Sequence, residues 1–293
     1  MKTKIMALLF VLIVMSNQSA QSQVFFNQTK TQAPPHNDWT KEEEIFSEVL
    51  KLTMKEIEKK TPFRFTKNSD VKAEFVLRLG NSPNPNAGPM AQYWHEGPTV
   101  KFRSWLLTEL FFQYGKPLYK LDTATLMQDQ ALGQIMWHEA THHLMNTVAQ
   151  SQGLGIWYTP EYIKELDNEH WLGVHIISEG TAEYIKSLNY PFEKEPDEND
   201  FPSEDVTSLR INFERVAYKG GYWLVKPILK KHGQVGMIWM MQNPFVAKYE
   251  NMRQAGIDYQ QKALAQLSLL EQKKPKMHRV PNRLRCFLCN RRR

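Results

Sequence analysis

The segment IMWHEATHHLM, residues 135–145, constrains this chain more than any other, because it places several polar side chains in an apolar run. Residues four apart in an α-helix lie on the same face, so His138 and His142 face the same way, one turn apart. Glu139 lies about 100° round the helix axis from His138. A buried helix that carries such groups without partners is costly, so we expect them to bind something.

The H-E-x-x-H spacing from His138 to His142 predicts a zinc site. Two imidazoles on one helix face can reach the same ion, and zinc lowers the pKa of a bound water towards about 7. Glu139 is placed to take a proton from that water as a general base. His143 lies a further 100° or so round the axis, so we expect it to pack or to support the site from outside the ligand set.

A catalytic zinc keeps three protein ligands and one open position, so a third ligand is required. Glu179, in the segment ISEGTAEYI, is the leading candidate. A helix that starts near Ser178 would hold Glu179 in its first turn and Glu183 one turn later on the same face. Glu183 could then accept a hydrogen bond from a ligand histidine and fix its tautomer. The alternative third ligands are His170 and His175.

The N-terminal segment has the pattern of a secretory signal peptide, which we expect to span residues 1–22. Two lysines precede the apolar run 5–15, and small polar residues follow it. The apolar run is too short to span a bilayer, which takes about 20 residues. A membrane-anchored N-terminus is the alternative. We expect a linker over residues 23–39 and a secreted or periplasmic protein without a transmembrane segment.

The net charge of +6 comes from a basic tail, residues 272–293, which we expect to be disordered. Removing the nine basic residues of the tail and the two lysines of the leader leaves the segment between them at −5, so the charge indicates no specific nucleic-acid groove. The tail can bind polyanions in a salt-dependent manner. It also holds Cys286 and Cys289, which we interpret as a local disulfide or free thiols.

Hydrophobic periodicity predicts an α+β fold, in which a small N-terminal β-sheet packs on a mostly helical remainder. We expect one domain over residues 40–271. Strands are predicted at residues 73–79 and from Thr99, with a turn-rich loop at 80–90 between them. Helices are predicted at 40–60, 105–114, 125–149, 160–168, from Ser178, at 207–232 and at 246–272.

HEATHH followed by S-E-G-T-A-E-Y resembles the gluzincin superfamily of zinc peptidases, above all its peptidase-MA-like branch. The resemblance covers about residues 73–233 and implies a zincin-like fold, with the H-E-x-x-H motif on an active-site helix. It implies that His138, His142 and Glu179 bind zinc and that Glu139 is the general base and acid.

The family also has a Y-x-x-G motif whose tyrosine donates to the oxyanion of the reaction. The segment AYKGGYW is similar to it, which makes Tyr218 the matching residue, with Gly221 three positions on. Such a donor contributes about 3–4 kcal/mol to lowering the barrier. The alternatives for this role are Tyr222 and Tyr184, and a buried core tyrosine is the non-functional interpretation of Tyr218.

One departure from the family concerns the substrate. Its aminopeptidases have G-x-M-E-N before the metal helix, whereas this chain has GPMAQ, with Ala91 where the glutamate would be. This difference favours an endopeptidase. TVKFRS, from Thr99, is either an edge strand that pairs with an extended peptide or an ordinary sheet strand. The acidic segment 193–205 either favours basic substrates or is a solvated loop.

These patterns together predict a secreted zinc-dependent endopeptidase that acts on protein or peptide substrates. Its zinc-activated water would attack the scissile bond with Glu139 as base. The alternative is an exported protein without enzymatic activity, in which zinc is structural and the basic tail binds polyanions.

Overall fold

The computed structural model describes residues 39–66, 70–77, 79, 89–94, 97–154, 166–203 and 212–273. The predicted signal peptide, most of the predicted linker and most of the basic tail with both cysteines lie outside the described residues. So do most of the predicted turn-rich loop, most of the predicted helix 160–168 and the first residues of the predicted helix 207–232.

The described residues form an α+β fold, as the sequence predicts. The helices are α1 (Thr40–Lys60), α2 (Trp105–Tyr114), α3 (Thr123–Gln128), α4 (Gln130–Ser151), α5 (Asn168–Ser187), α6 (Gly221–Gln242) and α7 (Met252–Lys273). The strands are β1 (Lys72–Val76), β2 (Ala91–Trp94) and β3 (Thr99–Arg103), and a π-helical segment, Arg215–Gly220, precedes α6. Among the described helices, none combines the length and apolar character that crossing a membrane requires.

The three strands form a mixed sheet in the order β1-β3-β2, with β1 parallel and β2 antiparallel to β3. β3 is therefore the central strand, and the interpretation of TVKFRS as an edge strand is wrong. The edge position beside β3 belongs to β2, in which Ala91 pairs with Phe102 and Trp94 with Thr99. Four residues are too few to show a clear alternation, so the sequence does not predict β2.

The helix α1 covers the sheet through a cluster of buried phenylalanine rings. The ring of Phe46 lies 5.0 Å from that of Phe75 on β1 and 4.9 Å from that of Phe102 on β3. The apolar residues of α1 recur at helical spacing, so this helix forms over the range that the sequence predicts. The same packing fixes the sheet next to α4.

The predicted helix 125–149 is two helices, α3 and α4, which are separated at Asp129. The backbone of Asp129 is extended, and its carboxylate accepts the N–H of Leu132 at the start of α4 and the hydroxyl of Tyr114. This N-cap stops one helix and starts the next. Every residue of α4 from Met136 to Ala149 is buried, so the helix runs through the centre of the fold.

The helix α5 begins ten residues earlier than the sequence predicts, at Asn168 rather than near Ser178. The carboxylate of Asp167 accepts the N–H of His170 and caps the helix. Glu179 therefore lies in the second half of a long helix and not in its first turn, which corrects the expectation. Because α5 packs along α4, Glu179 is held by two helices rather than by a helix end.

The last two helices also differ from the predicted ranges. The predicted stop at Gly233 is a kink, with φ of 52°, and α6 continues to Gln242. The helix α7 starts at Met252 rather than at 246, because the preceding residues run along α5. There the N–H of Ala247 donates to the carbonyl oxygen of Glu169, 3.1 Å away.

Candidate metal centre

Three side chains from two helices converge at the candidate metal centre. His138 and His142 lie on α4, and Glu179 lies on α5. Nε2 of His138 is 3.0 Å from Oε2 of Glu179 and 3.1 Å from Nε2 of His142, and this last nitrogen is 3.6 Å from Oε2 of Glu179. Within the described residues, no other group of three or more His, Cys, Asp or Glu side chains is close enough to share an ion.

His138 lies between two carboxylates. Its Nδ1 is 3.0 Å from Oε1 of Glu183, and its Nε2 faces Glu179. A neutral imidazole has a single N–H, so it can donate to one carboxylate only. The lone pair of its other nitrogen then faces the lone pairs of a carboxylate oxygen, and the two repel each other. Either a second proton on the ring or a cation beside Nε2 removes this repulsion. The geometry therefore fits an ion held by Nε2 of His138, with Glu183 fixing the tautomer.

The charges of the donors favour a positive species at their centre. Burial alone lowers the pKa of His138, but Glu179 and Glu183 outweigh it and raise this pKa to about 10. Burial raises the pKa of Glu179, but the two histidines outweigh it and hold this pKa well below its usual value. A donor set that stabilises an added proton in this way also attracts a divalent cation, because both compete for the same lone pairs.

Two residues that the sequence interpretation missed support the donors. Oγ of Ser178 is 3.1 Å from Nδ1 of His142, and Nζ of Lys186 donates to both carboxylate oxygens of Glu183, at 2.6 Å each. Ser178 directly precedes Glu179, and Lys186 lies three residues after Glu183 on the same helix face. Both positions can be read from the sequence once α5 is known to span this region.

Glu139 lies beside the three donors and is not one of them. Its side chain is buried, and its Oε2 has no hydrogen-bond partner in the described part of the chain. Burial raises the pKa of Glu139, although His138, His142 and the backbone N–H of Tyr93 oppose the shift. An unpaired buried carboxylate oxygen is costly, and such atoms call for a specific explanation such as a bound water or ligand.

Tyr218 reaches the same place from the π-helical segment. Its ring stacks on that of His138, with centroids 5.6 Å apart and planes inclined by 12°. The negative charge of Glu179, together with burial, raises the pKa of Tyr218 well above its ordinary value. The phenol therefore stays protonated and can donate a hydrogen bond at neutral pH.

The two alternative tyrosines lie elsewhere. The hydroxyl of Tyr222 donates to Oε1 of Glu195, 3.3 Å away. Tyr184 is buried, and its ring packs 6.3 Å from that of Tyr222. Among the three tyrosines, Tyr218 alone stacks on a donor histidine.

The two alternative ligands, His170 and His175, and the neighbouring His143 are not part of the donor group. His170 is partly exposed and lies 2.8 Å from Asp167 at the start of α5. The ring of His175 packs 4.1 Å from that of Trp171. His143 points away from the donors, as the helical spacing predicts, and its Nδ1 is 2.9 Å from the hydroxyl of Tyr93 on β2.

A contact between two glycines sets the distance between Glu179 and Tyr218. A Cβ atom on Gly180 would overlap the backbone of Gly221, and one on Gly221 would overlap the carbonyl oxygen of Ile176. The backbones of α5 and α6 can approach this closely only because both residues lack a side chain. Gly180 follows Glu179 directly, and Gly221 lies three residues after Tyr218, so the contact brings the two side chains together.

Two carboxylates in the described part of the acidic segment, residues 193–203, pair with cations of the same chain. Glu195 forms an ion pair with Lys226, and Asp200 lies 3.2 Å from Arg215. These two carboxylates are therefore already neutralised within the fold.

Comparison of the chain with protein-family models, with curated proteins and with solved structures gave no match.

Proposed function

We propose that the protein is a zinc-dependent peptidase of the gluzincin type, with a zincin-like fold around α4 and α5. The observation that carries the proposal is the unpaired, buried Oε2 of Glu139 beside a group of three donors. A structural zinc site is closed by four protein ligands, whereas a catalytic site has three and an open position. The donor group resembles the second arrangement.

The donor set suits zinc, which binds imidazole nitrogen and carboxylate oxygen. Ligand atoms about 2.1 Å from a tetrahedral ion lie roughly 3.4 Å from each other. The three distances between the donor atoms of His138, His142 and Glu179 are 3.0, 3.1 and 3.6 Å. When bound, zinc would lower the pKa of a water towards about 7 and polarise the substrate carbonyl.

The side chains around the donors supply the proton transfers of peptide hydrolysis. Glu139 accepts a proton from the attacking water and returns it to the leaving amine, and its raised pKa suits both steps. Tyr218 donates to the carbonyl oxygen of the scissile bond as negative charge develops there. Glu183 holds the ring of His138 in the orientation that presents Nε2.

An extended peptide bound along β2 is the substrate that the surroundings favour. In the described sheet, β2 pairs with β3 on one side, so its other edge can add a strand by main-chain hydrogen bonds. The backbone N–H of Tyr93 on β2 bonds to Glu139, so this strand borders the site. Ala91, in place of an amine-binding glutamate, supports an endopeptidase.

We also propose that the protein is secreted or periplasmic, because residues 1–22 have the composition of a signal peptide. N-terminal sequencing of the protein purified from its host tests this. A mature chain that starts after residue 20 or 22 is expected, and a chain that retains Met1 would contradict export by cleavage.

The Glu139→Gln substitution tests the reaction. We expect the wild-type protein to hold one zinc per chain by metal analysis and to cleave unfolded casein. Glu139→Gln should keep the zinc and lose hydrolysis, because an amide cannot accept the proton. The exposed Glu44→Gln is the matched control and should behave as wild type.

The same experiment separates the peptidase from the non-enzymatic alternative. If the zinc-loaded wild type cleaves nothing that Glu139→Gln leaves intact, the peptidase proposal is wrong and zinc is structural. Deleting residues 272–293 tests binding of polyanions by the tail. Retention on a heparin column should be lost with the nine basic residues of the tail, and unchanged retention would contradict tail binding.

A further inference from the structure

Three aromatic rings form a partly exposed cluster at one side of the candidate metal centre. The rings are those of Trp171, His175 and Phe213, which we call the aromatic cluster. Trp171 and His175 are 4.1 Å apart between centroids, His175 and Phe213 are 5.4 Å apart, and Trp171 and Phe213 are 5.8 Å apart. Trp171 is 36% exposed and Phe213 is 37% exposed, whereas most large apolar side chains in the described part of the chain are buried.

The aromatic cluster continues the helix face that carries Glu179. Trp171, His175 and Glu179 follow at intervals of four residues on α5, so they lie on one face. His175 is one turn, about 6 Å, from Glu179, and Trp171 is about 12 Å from it along the axis. His175 also lies close enough to interact electrostatically with Glu179 and His142.

The second wall of the cluster comes from the segment that carries Tyr218. Phe213 lies five residues before Tyr218, and its ring contacts the rings of both Trp171 and His175. Tyr218 in turn stacks on His138. Two neighbouring segments, residues 171–179 and 213–218, therefore extend from the donors towards the surface, and each has an aromatic ring at its outer end.

The cluster offers little to a charged ligand. Burial lowers the pKa of His175 to about 4, so all three rings are neutral at pH 7. Their faces and edges are suited to aromatic and large apolar groups, which stack on such rings with the geometry seen within the cluster itself.

We propose that the aromatic cluster is a substrate-binding subsite for a large apolar or aromatic side chain of a peptide. The inference rests on the proposed peptidase function and adds a preference to it. An extended peptide advances about 3.3 Å per residue. A ring packed on the exposed side of the aromatic cluster, about 6 to 12 Å from Glu179, therefore belongs to a residue about two to four positions from the scissile bond.

Cleavage of paired peptides tests the subsite. The probes are blocked octapeptides of alanine in which one residue, placed in turn at each position, is phenylalanine, serine or aspartate. For the wild type we expect kcat/KM to be at least about tenfold higher with phenylalanine at one position, the range of discrimination that an apolar pocket provides. Equal rates for the three residues at every position would overturn the inference.

Substitutions in the aromatic cluster test whether it causes the preference for phenylalanine. Trp171→Ala and Phe213→Ala should each lower the ratio of kcat/KM for the phenylalanine peptide to kcat/KM for the serine peptide by at least about fivefold. Phe112→Ala is the matched control, because Phe112 is 72% exposed on α2 and is not part of the cluster. A preference that survives both cluster variants would also contradict the inference.

A binding measurement separates this inference from the peptidase proposal. Titration calorimetry with Glu139→Gln measures the affinity for the same peptides without turnover. Tighter binding of the phenylalanine peptide, lost in the Glu139→Gln/Trp171→Ala double variant, supports the subsite even if the wild type hydrolyses nothing. Hydrolysis without any difference in binding or rate between the peptides supports the peptidase and rejects the subsite.

Discussion

The ammonium of Lys186 donates to both carboxylate oxygens of Glu183, and one of those oxygens also lies 3.0 Å from Nδ1 of His138. The side chains of Lys186 and Glu183 are 9% and 5% exposed, so this chain of contacts lies inside the fold. Lys186 keeps Glu183 ionised, because its positive charge opposes the effect of burial and the pKa of Glu183 is lowered. The orientation of a donor histidine thus depends on a lysine two contacts away.

Lys186→Met should destabilise the protein by about 3–5 kcal/mol, because it leaves the buried charge of Glu183 without its main partner. Chemical denaturation measures the change. Lys59→Met is the control: Lys59 lies 3.9 Å from Glu56 but is 77% exposed, so a change of less than about 1 kcal/mol is expected. Adding Glu183→Gln to Lys186→Met should recover part of the loss, and a double variant no more stable than the single one would contradict this account.

Gly221→Ala should separate α5 from α6, because the added Cβ overlaps the carbonyl oxygen of Ile176 and lies 2.9 Å from Cα of Gly180. Backbone atoms cannot move aside as a side-chain tip can, so we expect a loss of about 1–3 kcal/mol in the free energy of unfolding. Gly97→Ala is the control, since a Cβ there meets nothing within 4 Å. Equal thermal midpoints for the two variants would rule out the proposed role of the glycine contact.

Tyr93→Phe should weaken the attachment of β2 to α4. The hydroxyl of Tyr93 lies 2.9 Å from Nδ1 of His143 and accepts a hydrogen bond from Asn146, and its loss deprives buried polar groups of a partner. A destabilisation of about 1–3 kcal/mol is expected. Tyr119→Phe, at a tyrosine that is 43% exposed, should change stability by less than about 0.5 kcal/mol. Activity should fall with Tyr93→Phe if β2 positions Glu139.

The stability of the metal-free protein should depend on His175 between pH 6.5 and 4. Burial lowers the pKa of His175 from 6.5 to about 4, with Glu179 opposing and His142 adding to the shift. The unfolded chain therefore binds a proton at a higher pH than the folded chain does, so stability falls as the pH drops through this range, by roughly 3 kcal/mol at most. His175→Phe removes this contribution.

Denaturation of the wild type and His175→Phe in the presence of EDTA, at half-unit steps from pH 7.5 to 4, measures the effect. The stability of the wild type relative to the variant should decline towards low pH. A constant difference would show that His175 has the same pKa in the folded and unfolded chains.

The sequence predicts α1 and α2 over the ranges that form, because in both cases local signals and packing agree. The apolar residues of α1 keep one helical face, and Gly115, with φ of 68°, ends α2. The start of α5 is missed for the opposite reason. Asp167 is a capping residue, but it lies where a preceding helix is predicted to end, and only the packing of α5 along α4 shows that a long helix starts there.

The spacing of the two histidines in the sequence predicts that they lie together, whereas it does not predict the residues that surround them. His138 and His142 must share a face in any helix, so their convergence needs no tertiary information. Ser178 acts through a contact with His142 on another helix and Lys186 through Glu183 on its own helix, and ordinary Ser and Lys residues carry no pattern that reveals such a role. The position of β3 within the sheet is likewise decided by its pairing with β1 and β2. The sequence of β3 alone does not show whether it is an edge strand or a central strand.

The π-helical segment Arg215–Gly220 has a consequence for how this chain can vary. A π-helix places an extra residue in a turn, and deletion of one exposed residue such as Lys219 would let an ordinary α-helix form in its place. Tyr218 would then rotate by about 100° relative to α6 and leave the ring of His138, although no donor and no core residue is lost. The orientation of the Tyr218 phenol therefore depends on the number of residues in this segment. Insertions and deletions there should reduce activity far more than substitutions do.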